Sequence, residues 1–165
     1  MIDISVVIPL YNEDESLPEL VAWIERVMAA HQFTYEIILI DDGSTDGSAE
    51  ICKQYLTDSR VTYYYKENEG LAAARADGLA RAKGEYIGFV DSDDWAEPTM
   101  FEDMYNRAKK NNAQLVVAGY YIDTYYSDTE FYTQEQTLPT KEFSSQREFR
   151  EYAHKMFDKN LLYTP

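Results

Sequence analysis

Residues 86–95 read YIGFVDSDDW. The first five suit a strand buried on both faces, and carboxylates follow at positions 91, 93 and 94. Acids crowded at the mouth of a core strand repel one another unless solvent, a cation or ligand donors separate them. A bland reading is a solvated loop leading into a helix near Pro98, with Asp94 or Glu97 complementing the helix dipole. The sharper one uses strand geometry. Alternate residues leaving a strand point the same way, so Asp91 and Asp93, with Ser92 between them, are expected to converge on one oxygen-seeking ion, Mg²⁺ or Mn²⁺, whose remaining positions take phosphate oxygens or water.

Upstream of this stretch, short β-rich apolar runs alternate with helical stripes. Residues 4–8, 35–40, 61–65 and 86–90 read as strands. Leu17, Leu20, Val21, Ile24, Val27 and Met28 recur at helical spacing behind Ser16, a plausible N-cap, and Pro18 in the first turn. Ile51, Cys52, Tyr55 and Leu56 form a second stripe, and residues 71–83 a third helix closed by Gly84. A further helix carries Met100, Phe101, Met104, Tyr105 and Ala108, and a fifth strand is expected at 115–121. Such alternation argues for a parallel, helix-covered α/β sheet. Residues 123–143, rich in alternating aromatics, read as an antiparallel excursion. A helix on Phe149, Tyr152, Ala153, Met156 and Phe157 follows it.

Parallel sheets of this kind bind ligands beyond the carboxyl ends of their strands. The polar clusters lie there: YNE at 11–13, DDGSTDGS at 41–48, KENEG at 66–70 and DSDD at 91–94. Within DDGSTDGS, Asp46 can cap the next helix, whereas Asp42, adjacent to Asp41 at the strand end, is suited to reading a base. Gly70 lets backbone approach a ligand, Asn68 stands beside it, and Arg75, one turn into the helix, can reach a carboxylate or phosphate. Tyr11 can stack on a base. Trp95 and most of the tyrosines read as packing, Cys52 as a core-side hydrophobe, and His31 and His154 as ordinary helix-associated side chains. Neither GxGxxG after the first strand nor GxxxxGK[ST] occurs, so a nucleotide would be gripped by side chains and metal.

The 165 residues fit one domain. The net charge of −15, from 30 acidic and 15 basic residues, disfavours nucleic acid and anionic membranes as partners. No window approaches the ~18 uninterrupted apolar residues of a membrane span. The first residues lack the basic flank and cleavage site of a signal peptide, making the cytoplasm the expected address. One cysteine gives neither a disulfide framework nor a cysteine metal site. The apolar NLLYTP ending resembles a chain cut in mid-domain.

Taken together, VVIPLYNE, EIILIDDGSTDGS and NEGLAAARADGLARAKGEYIGFVDSDDW, in this order and spacing, resemble the amino-terminal half of a family 2 glycosyltransferase. The resemblance covers residues 4–117. It implies a GT-A fold, a three-layer α/β/α sandwich with a mostly parallel sheet, in which 1–122 bind the nucleotide sugar and 123–165 begin the acceptor side. It also implies inverting transfer of a sugar from a nucleotide donor, commonly a UDP-sugar, to a glycan, lipid or protein acceptor. Pro9, Tyr11 and Glu13 then fall in the nucleoside pocket, Asp42 where a carboxylate reads the base, and Asp91 and Asp93 at the pair that holds ribose and metal-diphosphate. Arg75-Ala76 departs from the family's frequent Arg-Asn. No counterpart of the family's acidic general base is found before Pro165. A donor-binding module without turnover is the alternative; a homodimer and peripheral attachment at the inner membrane face are both compatible with this reading.

Overall fold

β1 (Ile4–Leu10) and β2 (Tyr35–Asp41) are buried along their whole lengths, in keeping with their richness in Ile and Val. They pair in parallel from Ile4 opposite Tyr35 to Leu10 opposite Asp41. β3 (Val61–Tyr65) adds to β2, and β4 (Tyr86–Phe89) adds to the other side of β1, giving the order β3-β2-β1-β4 with every pairing parallel. All four carboxyl ends therefore lie on one edge. The computed structural model describes residues 1–127, 130–136, 141 and 143–158. Its chain divides into two units after Val116.

Helices α1 (Leu17–Ala30), α2 (Ser48–Tyr55) and α4 (Met100–Asn111) pack with one face of the sheet, where Val6, Ile8, Ile37 and Leu39 meet Val21, Ile24, Cys52 and Phe101. α3 (Leu71–Arg81) covers the other, with Ala74 against Val7, Ile38 and Ile40. This is the expected α/β/α sandwich of the GT-A type. α3 lies close because Gly78 faces the sheet: a Cβ there would come 2.2 Å from Val7 Cγ1. No described helix is long and apolar enough to cross a membrane. Cys52 is fully buried, and burial, with the charge of Asp41 behind it, pushes its thiol up to about 12.

The second unit holds the antiparallel excursion. β5 (Tyr120–Ser127) pairs with β6 (Glu130–Gln136), with an irregularity between Tyr125 and Ser127, and α5 (Gln146–Asp158) follows. The segment NLLYTP lies outside the described residues, as does the side chain of His154.

Several local expectations are corrected. Residues 115–119 form no strand: β4 ends the sheet among the described residues, Leu115 and Val117 are 60% and 57% exposed, and Tyr120 and Tyr121 pair with Gln136 and Glu135 instead. Ser16 does not cap α1 through its side chain; it donates to Glu13 Oε2 at 2.5 Å. α3 stops at Arg81 because the next amides are drawn to the sheet, Lys83 N to Glu36 Oε1 at 2.7 Å and Gly84 N to Ser5 Oγ at 2.7 Å. Gly84 serves close approach to β1, where a Cβ would sit 2.5 Å from Ser5 N, rather than a helix cap. Trp95 is exposed, and so are Tyr64, Tyr65, Tyr120, Tyr121, Tyr126 and Tyr132. His31 Nδ1 meets Glu102 at 3.1 Å, tying α1 to α4.

Candidate functional site

The loops leaving β1 and β2 are laced together on the carboxyl edge of the sheet. Asn12 N donates to Ser44 Oγ at 2.9 Å, Thr45 N to Asn12 Oδ1 at 2.8 Å and Glu13 N to Ser48 Oγ at 2.8 Å. Gly47 N reaches Asp14 Oδ2 at 3.2 Å. Gly47, not Asp46, stands at the N-cap of α2; Asp46, one residue earlier, accepts from Ser48 N at 3.0 Å. The small polar residues of DDGSTDGS thus hold loop to loop, a task short Ser, Thr and Asp side chains perform well.

The two aspartates that begin this motif are both buried. Asp41 accepts from Tyr63 Oη at 2.7 Å and from Ser44 N at 2.8 Å. Burial first, then the Asp41 carboxylate, raises the Tyr63 phenol. Asp42 accepts from Glu69 N at 3.0 Å and Gly70 N at 2.7 Å, anchoring the 66–70 loop. That loop approaches the backbone of Gly43, where a Cβ would lie 2.9 Å from Asn68 N; φ is +83° at Gly43 and +88° at Gly70, a region side-chain-bearing residues disfavour.

β4 ends one residue earlier than expected, and Asp94 N donates to Asp91 O at 3.1 Å, so 91–94 is a turn rather than a continued strand. Strand alternation therefore does not bring Asp91 and Asp93 together; the turn does, and both line one pocket. Arg75 Nη2 lies 2.6 Å from each oxygen of Asp91, while Arg75 Nε is enclosed without a hydrogen-bond acceptor. Desolvation, then the charges of Asp93 and Asp91, raises the Asp94 carboxyl above its usual range, with Arg75 opposing. Among the described residues no three His, Cys, Asp or Glu side chains converge closely enough to hold a metal by themselves.

The pocket, about 270 Å³, is lined by Pro9, Leu10, Tyr11, Glu13, Asp42, Leu71, Ala74, Asp91, Ser92 and Asp93. Seven residues singled out in the sequence meet here. Asn68, Gly70 and Arg75 are not lining residues; the last two hold Asp42 and Asp91 from behind. Sequence reasoning missed Leu10, Leu71 and Ala74. Leu71 and Ala74 follow Gly70 at the helical spacing that places residues on one face, which was the available signal.

A parallel sheet covered by helices, with an acidic pocket at its carboxyl edge, is the architecture of GT-A glycosyltransferases. Residues 5–163 match the model of glycosyl transferase family 2, and the chain belongs to that family. It is 44% identical over 120 residues to glycosyltransferase GlyG of Streptococcus pneumoniae serotype 4, covering 72% of this chain and 39% of that protein. It is 42% identical over 120 residues to a cholesterol galactosyltransferase of Borreliella burgdorferi, covering 72% and 33%. The structure of S. aureus TarS 1-349 in complex with UDP-GlcNAc is similar with a TM-score of 0.57 at 25% identity, over 67% of this chain and 32% of that one. The mannosyltransferase PcManGT from Pyrobaculum calidifontis, in complex with GDP-Man and Mn²⁺, gives 0.55 at 25% identity, over 72% and 36%. The chain spans about a third of the length of these relatives.

Proposed function

We propose that this chain carries the donor site of an inverting glycosyltransferase that moves a sugar from a UDP-sugar to a glycan, lipid or protein acceptor. The observation that carries the reading is the pocket on the carboxyl edge, where an aromatic ring, a buried carboxylate and the Asp91–Asp93 turn share one cleft. Tyr11, half-exposed, offers a face for the base, and Asp42, acceptor-only when ionised, suits the imide N–H of uracil. Pro9 and Glu13 complete the nucleoside wall. Asn68, Gly70 and Arg75 shape it from the 66–70 loop and α3.

The donor set fits a hard divalent ion. Asp91 and Asp93 would hold Mg²⁺ or Mn²⁺ through their carboxylate oxygens, leaving its other positions to diphosphate oxygens and water. Such an ion, when bound, supplies Lewis-acid neutralisation of the departing diphosphate. Arg75 holds Asp91 in place, and Ser92, buried, lies between the acids in the pocket lining. The TarS complex with UDP-GlcNAc and the PcManGT complex with GDP-Man and Mn²⁺ support a nucleotide-sugar donor and a metal. No residue of this chain is assigned as the general base. The reading carries a cytoplasmic address.

Calorimetric titration of UDP into the protein, with Mn²⁺ and with EDTA, on wild type and Asp93→Ala, tests this. Metal-dependent binding abolished in the variant is expected. A folded wild type silent toward UDP, GDP and dTDP in both conditions would refute the donor-site reading. Turnover is assayed separately, because donor binding does not require the acceptor machinery.

A further inference from the structure

Lys66 follows β3 and opens the KENEG cluster at 66–70. Its side chain is only 17% exposed, and its ammonium is ringed by three carboxylates: Glu69 Oε2 at 2.5 Å, Asp77 Oδ2 at 3.1 Å and Asp42 Oδ1 at 3.9 Å. These belong to three pieces of structure. Asp42 follows β2, Glu69 lies in the loop between β3 and α3, and Asp77 is on α3. The same loop gives the Glu69 and Gly70 amides to Asp42. Asp77 also takes Arg81 Nη1 at 2.9 Å, and the Arg81 guanidinium sits 4.5 Å from the Tyr64 ring centroid, so the anchor on α3 is itself fastened to β3. Contact with Glu69, then with Asp77, raises the Lys66 ammonium above its ordinary value, keeping it charged across the neutral range.

The pocket wall formed by Asp42, Leu71 and Ala74 joins two of these pieces, the segment after β2 and α3, and the 66–70 loop ties the two together. Removing the ammonium would leave three like charges facing one another, and their repulsion would push loop, Asp42 and helix apart. We propose that Lys66 is the positioning residue of this wall: it locks the 66–70 loop onto Asp42 and α3, and so holds the acceptor atoms of Asp42 where a nucleoside base meets them. The ligand named here rests on the donor-site reading above; the lock rests on the ion pairs alone.

The test uses Lys66→Met, which keeps the stem and deletes the charge, and Lys66→Arg, which restores it. Amide hydrogen exchange is followed without nucleotide, and UDP affinity by calorimetry with Mn²⁺ well below the melting temperature of each variant. In Lys66→Met the Glu69 and Gly70 amides are expected to exchange about tenfold faster while those of β1 and β2 are unchanged, and UDP to bind about tenfold more weakly. Lys66→Arg is expected to recover both, and Asp77→Asn combined with Lys66→Met to add less than its effect alone. Unchanged exchange in Lys66→Met overturns the lock whatever nucleotide does. Faster exchange with unaltered UDP affinity overturns the positioning role. A wild type that binds no nucleotide overturns the donor-site reading and the nucleoside role with it, while exchange still decides the lock. Should Lys66→Met fail to fold, Asp77→Asn, which removes only the α3 anchor, gives the same readings.

Discussion

Arg75 on α3 and Asp91 in the turn after β4 are joined through a single nitrogen, Nη2, which donates to both carboxylate oxygens at 2.6 Å. The pair links the helix on one face of the sheet to the acidic turn at its edge. Both side chains are partly exposed, 40% and 30%, so solvent screens the interaction and reduces it to about 1 kcal/mol. Arg75→Met is expected to lower the stability of the fold by about 1 kcal/mol. In an Asp91→Asn background the same change should have much less effect, because its partner charge is gone. Scanning calorimetry on the four proteins checks this; additive losses would show that Arg75 acts independently of Asp91.

Gly78 fixes how closely α3 lies on the sheet. Gly78→Ala gains helix propensity of about 1 kcal/mol but drives a methyl group into Val7, where overpacking costs about 1–3 kcal/mol and more where the backbone resists. A net fall in melting temperature of a few degrees is expected. Val7→Ala should convert Gly78→Ala from harmful to nearly neutral, and a stabilised single variant would refute the packing argument.

Acid should destabilise the fold through carboxylates tied in native pairs. The hydroxyl of Thr34 holds Asp3 below the usual carboxylate range, Arg60 does so for Asp58, and Arg81 followed by Lys66 for Asp77. Each folded-state value lies below the unfolded one. Their contribution is therefore present above the unfolded value of about 4 and is lost as pH falls through the folded values. Asp94 works in the opposite direction: raised in the fold, it disfavours the native state at neutral pH and is relieved on protonation. Melting temperatures between pH 3 and 7 should fall steeply only below about 4, and Asp58→Asn should flatten that fall. A descent already complete at pH 5 would require a different group.

Cys52 should be inert in the native protein. Burial and the Asp41 charge keep its thiol protonated at pH 8, so an aromatic disulfide reagent is expected to label it only through unfolding and stoichiometrically in guanidinium. Rapid labelling without denaturant would show that α2 opens from the sheet.

Local pattern made much of this legible. The β-rich, largely apolar runs at 4–8 and 35–40 read as strands covered on both sides, and the helical stripes between them argue for the parallel pairing that β1 and β2 make. From that follows the shared edge on which Tyr11, Asp42, Asp91 and Asp93 meet. Residues 115–119 misled because apolar content marks a strand only when a neighbour is there to pair with, and Trp95 because an aromatic residue carries no label of the surface it faces.

Element order and the acidic edge follow from periodicity and spacing along the chain, and the family from the motifs VVIPLYNE, EIILIDDGSTDGS and NEGLAAARADGLARAKGEYIGFVDSDDW. Which partner each charged group takes is settled by the fold. That Asp42 holds backbone amides, Arg75 holds Asp91 and Lys66 faces three carboxylates cannot be read from spacing, because electrostatic pairing depends on separations of a few ångströms between residues up to 28 positions apart.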